Sequence, residues 1–288
     1  MKTDSVPDFA SWIGRFEQST STIALPPATA LAATLDHARR PEIGDPLPPL
    51  WHWIYFTPQS LQSELGVDGH PRRGGFLPPI PLPRRMWAGG RLKFLKPLRI
   101  GDEVTRTSTI LHIEAKTGRQ GPLVFVTLAH KLYVRESVRL EEERDLVYRA
   151  PDSGKADPVA VAQPLVHPQW RDEKLPDPAL LFRYSALTFN AHRIHYDLPY
   201  AIEEEGYPGL VVQGPLVATL LADRLLAHCP GRLTAFDFRG VRPLIAGRAA
   251  QFCGDPEGAD GRFSLWAEDD AGNATMKASA QIEIDHAD

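Results

Sequence analysis

Only two cysteines, Cys229 and Cys253, occur in the 288 residues, and neither sits at a spacing that holds a metal or forms a redox pair. That excludes a disulfide framework and fits a chain kept in a reducing, cytoplasmic compartment. No stretch reaches the roughly 18 consecutive apolar residues of a membrane span. The opening MKTDSVPDFASWIGRF lacks the basic start and apolar run of a secretion signal. A basic surplus is missing as well. With 32 Lys and Arg against 36 Asp and Glu, the formal charge of −4 leaves no broad cationic field for nucleic acid or an anionic membrane. These absences point to a globular protein that handles small molecules.

Proline, by contrast, is plentiful: 27 residues, many of them between 41 and 83, where the chain should be extended and rich in loops. Around that region the pattern suggests short helices over 8–20 and 27–35. A further one is expected over 57–66, with Thr57 as N-cap, Pro58 in the first turn and Gly66 just past the end. Residues 69–92 read as a long irregular connection, the kind that often binds a ligand. From Gly90 the hydrophobic period becomes two, giving three strands up to Val134 with turns at 99–102 and 117–121. The charged segment 136–158 reads as a solvated linker.

After it the plan repeats. A short helix is expected over 177–187 and a long one over 215–229, followed by strands in LTAFDFRGVRPL, GRAAQFCGD, GRFSLWAEDD and ATMKASAQIEI. KPLRIG at 96–101 matches RPLIAG at 242–247, each between two strands of its half. We read this as a duplicated α+β domain, with copies over 1–150 and 151–288.

The chemistry gathers in YSALTFNAHRIHYD, residues 184–197, and GLVVQGPLVATLL, residues 209–221. His195 is the candidate proton-transfer group, because imidazole titrates near neutrality and can act as base and then acid. Asn190 can orient a water but cannot remove a proton. Asp197 can share the proton, orient the histidine or cap a turn. Gly214 and Pro215 open an apolar helix whose first N–H groups are unpaired and carry the positive end of the helix dipole. A thioester carbonyl set on Gly214 would be stabilised as it gains enolate charge, and Gln213 beside it offers a further hydrogen bond. HRIH, residues 192–195, invites a metal reading, but without a cysteine or third histidine at ligand spacing the sequence points away from one.

LTFNAHRIHYD resembles the signature of the MaoC-like, type 2 enoyl-CoA hydratases, Gly-Asp-x-Asn-Pro-(Leu/Ile)-His, and GYPGLVVQGPLVATLL resembles the segment in which a His-Gly pair opens their central helix. The resemblance runs into the first half through DPLPPLWHW and LPRRMWAGGRLKFLKPLRIGD, and is nearest to the branch of type 2 hydroxyacyl-thioester dehydratases and mesaconyl-CoA and itaconyl-CoA hydratases. It implies a double hotdog, each curved antiparallel sheet wrapping a helix, within a monomeric pseudo-dimer or a homodimer. It also implies reversible hydration of an α,β-unsaturated acyl-CoA with no cofactor beyond the CoA of the substrate. The family's histidine falls on His195 and its oxyanion glycine on Gly214, while its aspartate is replaced by Asn190, its asparagine by His192, its proline by Arg193 and its second histidine by Gln213. Trp51 stands where the first copy would carry its histidine, so that copy is expected to be non-catalytic. Arg84, Arg85, Met86, Trp87 and Lys93 form a basic and aromatic patch suited to CoA. Tyr184, His192 and Arg193 are expected to line the acyl site, the last two facing a second carboxylate. A dehydratase of fatty acid or polyketide synthesis and a non-catalytic acyl-thioester binding module are the alternatives.

Overall fold

The computed structural model describes residues 9–118, 121–150 and 168–283. Its frame is one ten-stranded sheet of antiparallel neighbours, in the order β1-β3-β4-β5-β2-β7-β10-β9-β8-β6. The first half contributes β1 (Phe16–Thr22), β2 (Arg84–Phe94), β3 (Glu103–Gly118), β4 (Gly121–Val134) and β5 (Ser137–Arg149). The second contributes β6 (Trp170–Lys174), β7 (Arg232–Gly240), β8 (Ala250–Pro256), β9 (Arg262–Glu268) and β10 (Ala274–Glu283). Read from either edge, the order is the same once each strand is exchanged for its counterpart five places on in the chain, as a duplication requires. The halves join where β2 pairs with β7, Leu92 opposite Phe236.

Helix α3 (Gly214–His228) lies on the second half's sheet. It forms because GPLVATLLADRLLAH places proline in the first turn and good helix formers after it. Leu216, Val217, Leu220, Leu221 and Leu225 are buried against Phe236, Phe252 and Leu265. Burying each such side chain contributes about 1.5–3 kcal/mol before entropy is counted. Helices α1 (Leu25–Thr34) and α2 (Pro178–Thr188) pack against each other; Asp177 caps α2, accepting from the Leu180 N–H at 2.7 Å.

Several expectations are corrected. Residues 8–20 do not form a helix: a single turn at Ala10–Trp12 gives way at Gly14 (φ 85°) to β1, whose FEQSTST is rich in β-branched and hydroxyl residues at an exposed edge. Of 57–66, only Gln62–Glu64 is helical. The long connection ends at Arg84, so Arg84–Lys93 lie on a strand and not in a loop. The charged run taken as a linker is β5 up to Arg149; residues 151–158 of that reading lie outside the described residues. No helix of the described residues is long and apolar enough to cross a membrane.

Candidate active site

Helix α2 ends at Phe189, which takes a left-handed conformation (φ 50°) and turns the chain into the 190–197 loop. Asn190 Oδ1 accepts from the His192 N–H at 3.1 Å, leaving its amide nitrogen to donate, and a single tight turn, Arg193–His195, follows. His195 is buried, and its Nδ1 lies 2.7 Å from the carbonyl oxygen of Val211. A carbonyl only accepts, so Nδ1 carries the proton and Nε2 keeps its lone pair. Burial pushes the imidazole down to about 4, against the pull of the Val211 bond, and His70 adds to the depression. The side chain is therefore a neutral base at working pH.

Val211 lies three residues before Gly214, so the bond that fixes the imidazole also ties it to the start of α3. His195, Asn190 and Gly214 line one cavity of about 1460 Å³. The first N–H groups of α3 have no partner within the helix. A Cβ built on Gly214 would meet nothing nearer than the Trp87 carbonyl oxygen at 3.9 Å, so the space above that helix start is open.

Other expected residues are used differently. Gln213 directs Nε2 to the Leu181 carbonyl oxygen (2.9 Å) and the Ser185 hydroxyl (2.8 Å), so it braces α3 on α2 and has no donor left for a thioester. Arg193 donates to Asp197 Oδ2 (2.9 and 2.7 Å) and to the Val67 carbonyl oxygen (3.0 Å), and its guanidinium lies 4.1 Å from the Tyr200 ring centre. It is engaged in holding the loop and does not line the cavity. Asp197 pairs with Arg193 and accepts from the Tyr200 N–H, taking no hydrogen bond from His195. Tyr184 lines the cavity fully buried, its phenol pushed above the usual range by burial. Arg84, paired with Glu205 at 3.1 Å, lines the cavity together with Arg85, Met86 and Trp87, and Lys93 is exposed on β2 outside it.

The first half also enters the site through two residues not expected there. Asp68 and His70 come from the irregular connection: Asp68 Oδ2 lies 2.9 Å from His70 Nδ1, the His70 ring packs at a 38° tilt against His192 with centres 4.1 Å apart, and His192 meets His195 edge-on at 5.4 Å. The Arg193 N–H donates to the Asp68 carbonyl oxygen at 2.9 Å. Gly69 (φ 86°) makes this docking feasible, since a Cβ there would lie 1.8 Å from the Ala191 carbonyl oxygen. Ligand atoms of Asp68, His70 and His192 all lie within 4.8 Å of one another, so among the described residues these three could hold a metal ion. The sequence shows no third histidine at ligand spacing from HRIH; His70 reaches it in space from the other half.

A family model described as hydroxyacyl-thioester dehydratase type 2 matches residues 50–246. The mesaconyl-C(4)-CoA hydratase of Chloroflexus aurantiacus is 48% identical over 279 residues, covering 96% of this chain and 99% of that protein. A MaoC-like dehydratase from Phytophthora capsici superposes with a TM-score of 0.71 at 16% identity over 94% of this chain and 97% of that one. A Mycobacterium tuberculosis protein described as a double hotdog superposes at 0.59, with 16% identity over 93% of this chain and 95% of that one. Together with the mirrored strand order, these likenesses identify the fold as the α+β double hotdog.

Proposed function

The chain belongs to the hydroxyacyl-thioester dehydratase type 2 family, and from that premise we propose that it hydrates an α,β-unsaturated acyl-CoA thioester reversibly. It is a hydro-lyase. The substrate we favour is a short branched dicarboxylyl-CoA of the mesaconyl type, because a hydratase named for that thioester is 48% identical over nearly the whole chain.

One observation carries the mechanism: a neutral imidazole with a free Nε2 and an open helix N-terminus face one cavity. The thioester carbonyl rests on the N–H groups at Gly214, where the helix dipole favours the enolate oxygen. His195 Nε2 takes a proton from water as the oxygen adds to Cβ, and returns it to Cα. Asn190 donates to that water from its amide. His70 and His192 act on His195 by packing, and so position it.

In this reading the second half is catalytic, and the first supplies cavity walls and the Asp68–His70 loop, which makes one site per chain. The β2–β7 pair joins the two halves within the chain, so a second copy is not needed to complete the sheet. Arg85 and Trp87 flank the CoA arm. Cys229 and Cys253, both free, suit a cytoplasmic setting.

The test is steady-state hydration of mesaconyl-CoA, crotonyl-CoA, a long-chain enoyl-CoA and the same groups on acyl carrier protein, with free thiol followed in parallel. The highest kcat/KM is expected for mesaconyl-CoA. Turnover confined to long uncharged chains or to the carrier protein would favour the dehydratase of fatty acid synthesis instead, and binding without turnover would leave only a thioester-binding module.

A further inference from the structure

The inner faces of the two half-sheets differ in kind. In the second half the positions facing α3 are apolar: Phe236, Phe252, Leu265 and Ala280. In the first half the equivalent alternation is interrupted. Along β4 the buried positions read Val124, Val126, Leu128, His130, Leu132, and along β5 Leu140, Glu142, half-buried Arg144, Leu146, Tyr148. Strand pairing sets Ser108 opposite His130 and His130 opposite Glu142, while Arg106 stands two residues before Ser108 with Ser19 opposite it on β1. Cross-strand partners share a face. These groups therefore form one polar patch, and all but Ser108 line the cavity that holds His195 and Gly214.

Part of the patch is satisfied internally. Glu142 accepts from Arg144 (2.9 Å) and Trp53 Nε1 (3.2 Å) and lies 3.1 Å from His52 Nε2. Burial opposes its charge, yet Arg144 and His52 hold its carboxyl well below the usual range. Three neighbouring polar atoms have no partner though shielded from solvent: Ser19 Oγ, Arg106 Nε and His130 Nε2. Buried groups of this kind are normally paired, and each one left over calls for an explanation. Arg106 has no carboxylate within ion-pair distance among the described residues; its one hydrogen bond goes to the Phe56 carbonyl oxygen at 3.3 Å. Burial, then Arg144, pushes it down to about 10, and the same two influences push His130 down to about 3.

Two guanidinium groups against one buried carboxylate, with Glu17 more distant at the exposed rim, leave a surplus cation in a sheltered site. Among the described residues no second carboxylate pairs with it, and the Arg106 guanidinium lies 4.8 Å from the Phe56 ring centre. His130 Nδ1 lies 2.9 Å from the Ser108 hydroxyl, which can donate as well as accept, and in the tautomer where the hydroxyl donates His130 Nε2 is a second donor beside Arg106. The patch connects to the reacting end through Trp87: Arg144 lies 3.8 Å from its ring centre, and its carbonyl oxygen faces Gly214. We infer that Arg106, His130 and Ser19, on the concave face of the non-catalytic half, bind the free carboxylate of a dicarboxylic acyl thioester seated on Gly214. This rests on the proposed thioester chemistry and assigns the residues that select for the second acid group, a role the sequence had suggested for Arg193 and His192.

Calorimetric binding of succinyl-CoA and butyryl-CoA tests it without any turnover. The two differ in a terminal carboxylate, and neither is an enoyl substrate, so absence of hydratase activity would sink the functional reading and leave this measurement standing. The parent is expected to bind succinyl-CoA at least tenfold more tightly than butyryl-CoA. In Arg106→Gln that ratio should fall to near one, while Arg106→Lys keeps part of it. Thermal unfolding separates this from a structural role: removal of an unbalanced buried cation leaves Tm of the free protein unchanged or higher, whereas removal of a structural group lowers it. Equal binding of the two thioesters by the parent, or a preference that survives in Arg106→Gln, would overturn the inference. So would parallel loss of both thioesters, which would assign the patch to the CoA phosphates.

Discussion

His195 Nδ1 lies 2.7 Å from the carbonyl oxygen of Val211, a single bond that sets the tautomer, the ring orientation and the distance of the imidazole from the start of α3. Its consequence is a pH dependence unlike that of a free histidine. The folded value of about 4 is below the ordinary 6.5, so the unfolded chain binds this proton more tightly. Stability linked to neutral His195 is complete above pH 6.5 and is lost as pH falls from 6.5 towards 4, by on the order of 3 kcal/mol. The acid limb of kcat/KM, measured with a neutral enoyl-CoA, is accordingly expected near pH 4. His195→Gln should lower kcat by about 10²–10⁴-fold. A limb at 6.5 that disappears in the variant would mean that the imidazole is solvated in the working enzyme.

Gly214→Ala separates the oxyanion role from folding. The added methyl meets only the Trp87 carbonyl oxygen, at an ordinary contact distance, and alanine suits the first turn of a helix better than glycine. Tm is expected to hold or rise. The methyl projects into the space where the thioester oxygen must approach the backbone, so kcat/KM should fall by about 10²–10³-fold. A drop in Tm that accounts for the lost activity would instead make Gly214 a packing residue.

Arg193 is held by Asp197, Val67 and Tyr200, and none of these contacts faces the cavity. Arg193→Ala should therefore loosen the loop without changing selectivity. The ratio of kcat/KM for mesaconyl-CoA to that for crotonyl-CoA is expected to stay at the parental value, even if both rates decline. A selective loss of mesaconyl-CoA turnover would return Arg193 to the substrate and weaken the case for Arg106.

How far the sequence could be read depended on whether each residue's neighbours lie close along the chain. Helices α2 and α3 were legible because Asp177, Pro178 and Gly214–Pro215 punctuate apolar runs, and the His195–Gly214 pairing followed from two adjacent segments. Strand β5 was hidden by the feature that matters most in it: Glu142 and Arg144 occupy inward positions, so the strand reads as a solvated charge run. The connection from residue 69 was legible as a binding loop, but the residues it presents were not, since only the folded chain sets Gly69 against Ala191, over a hundred residues away. The clue available was alternation. His130 interrupts the series Val124, Val126, Leu128, Leu132, and a polar residue at a core position of a strand asks for a partner.

The cluster of Asp68, His70 and His192 has the composition of a metal site, with a carboxylate and two imidazoles beside the cavity. Its internal geometry favours another use. His70 Nδ1 is at hydrogen-bond distance from Asp68 Oδ2, as in a carboxylate–imidazole pair, and the two imidazole rings lie 4.1 Å apart at a 38° tilt. That contact buttresses His192, whose edge contact holds His195. Dialysis against a chelator is therefore expected to leave kcat/KM unchanged. His70→Ala should lower kcat while leaving KM near its parental value, because it loosens the base and leaves the substrate cavity in place. Activity lost on chelation, restored by Zn²⁺ and refractory to restoration in His70→Ala would show that Asp68, His70 and His192 hold an ion the reaction needs.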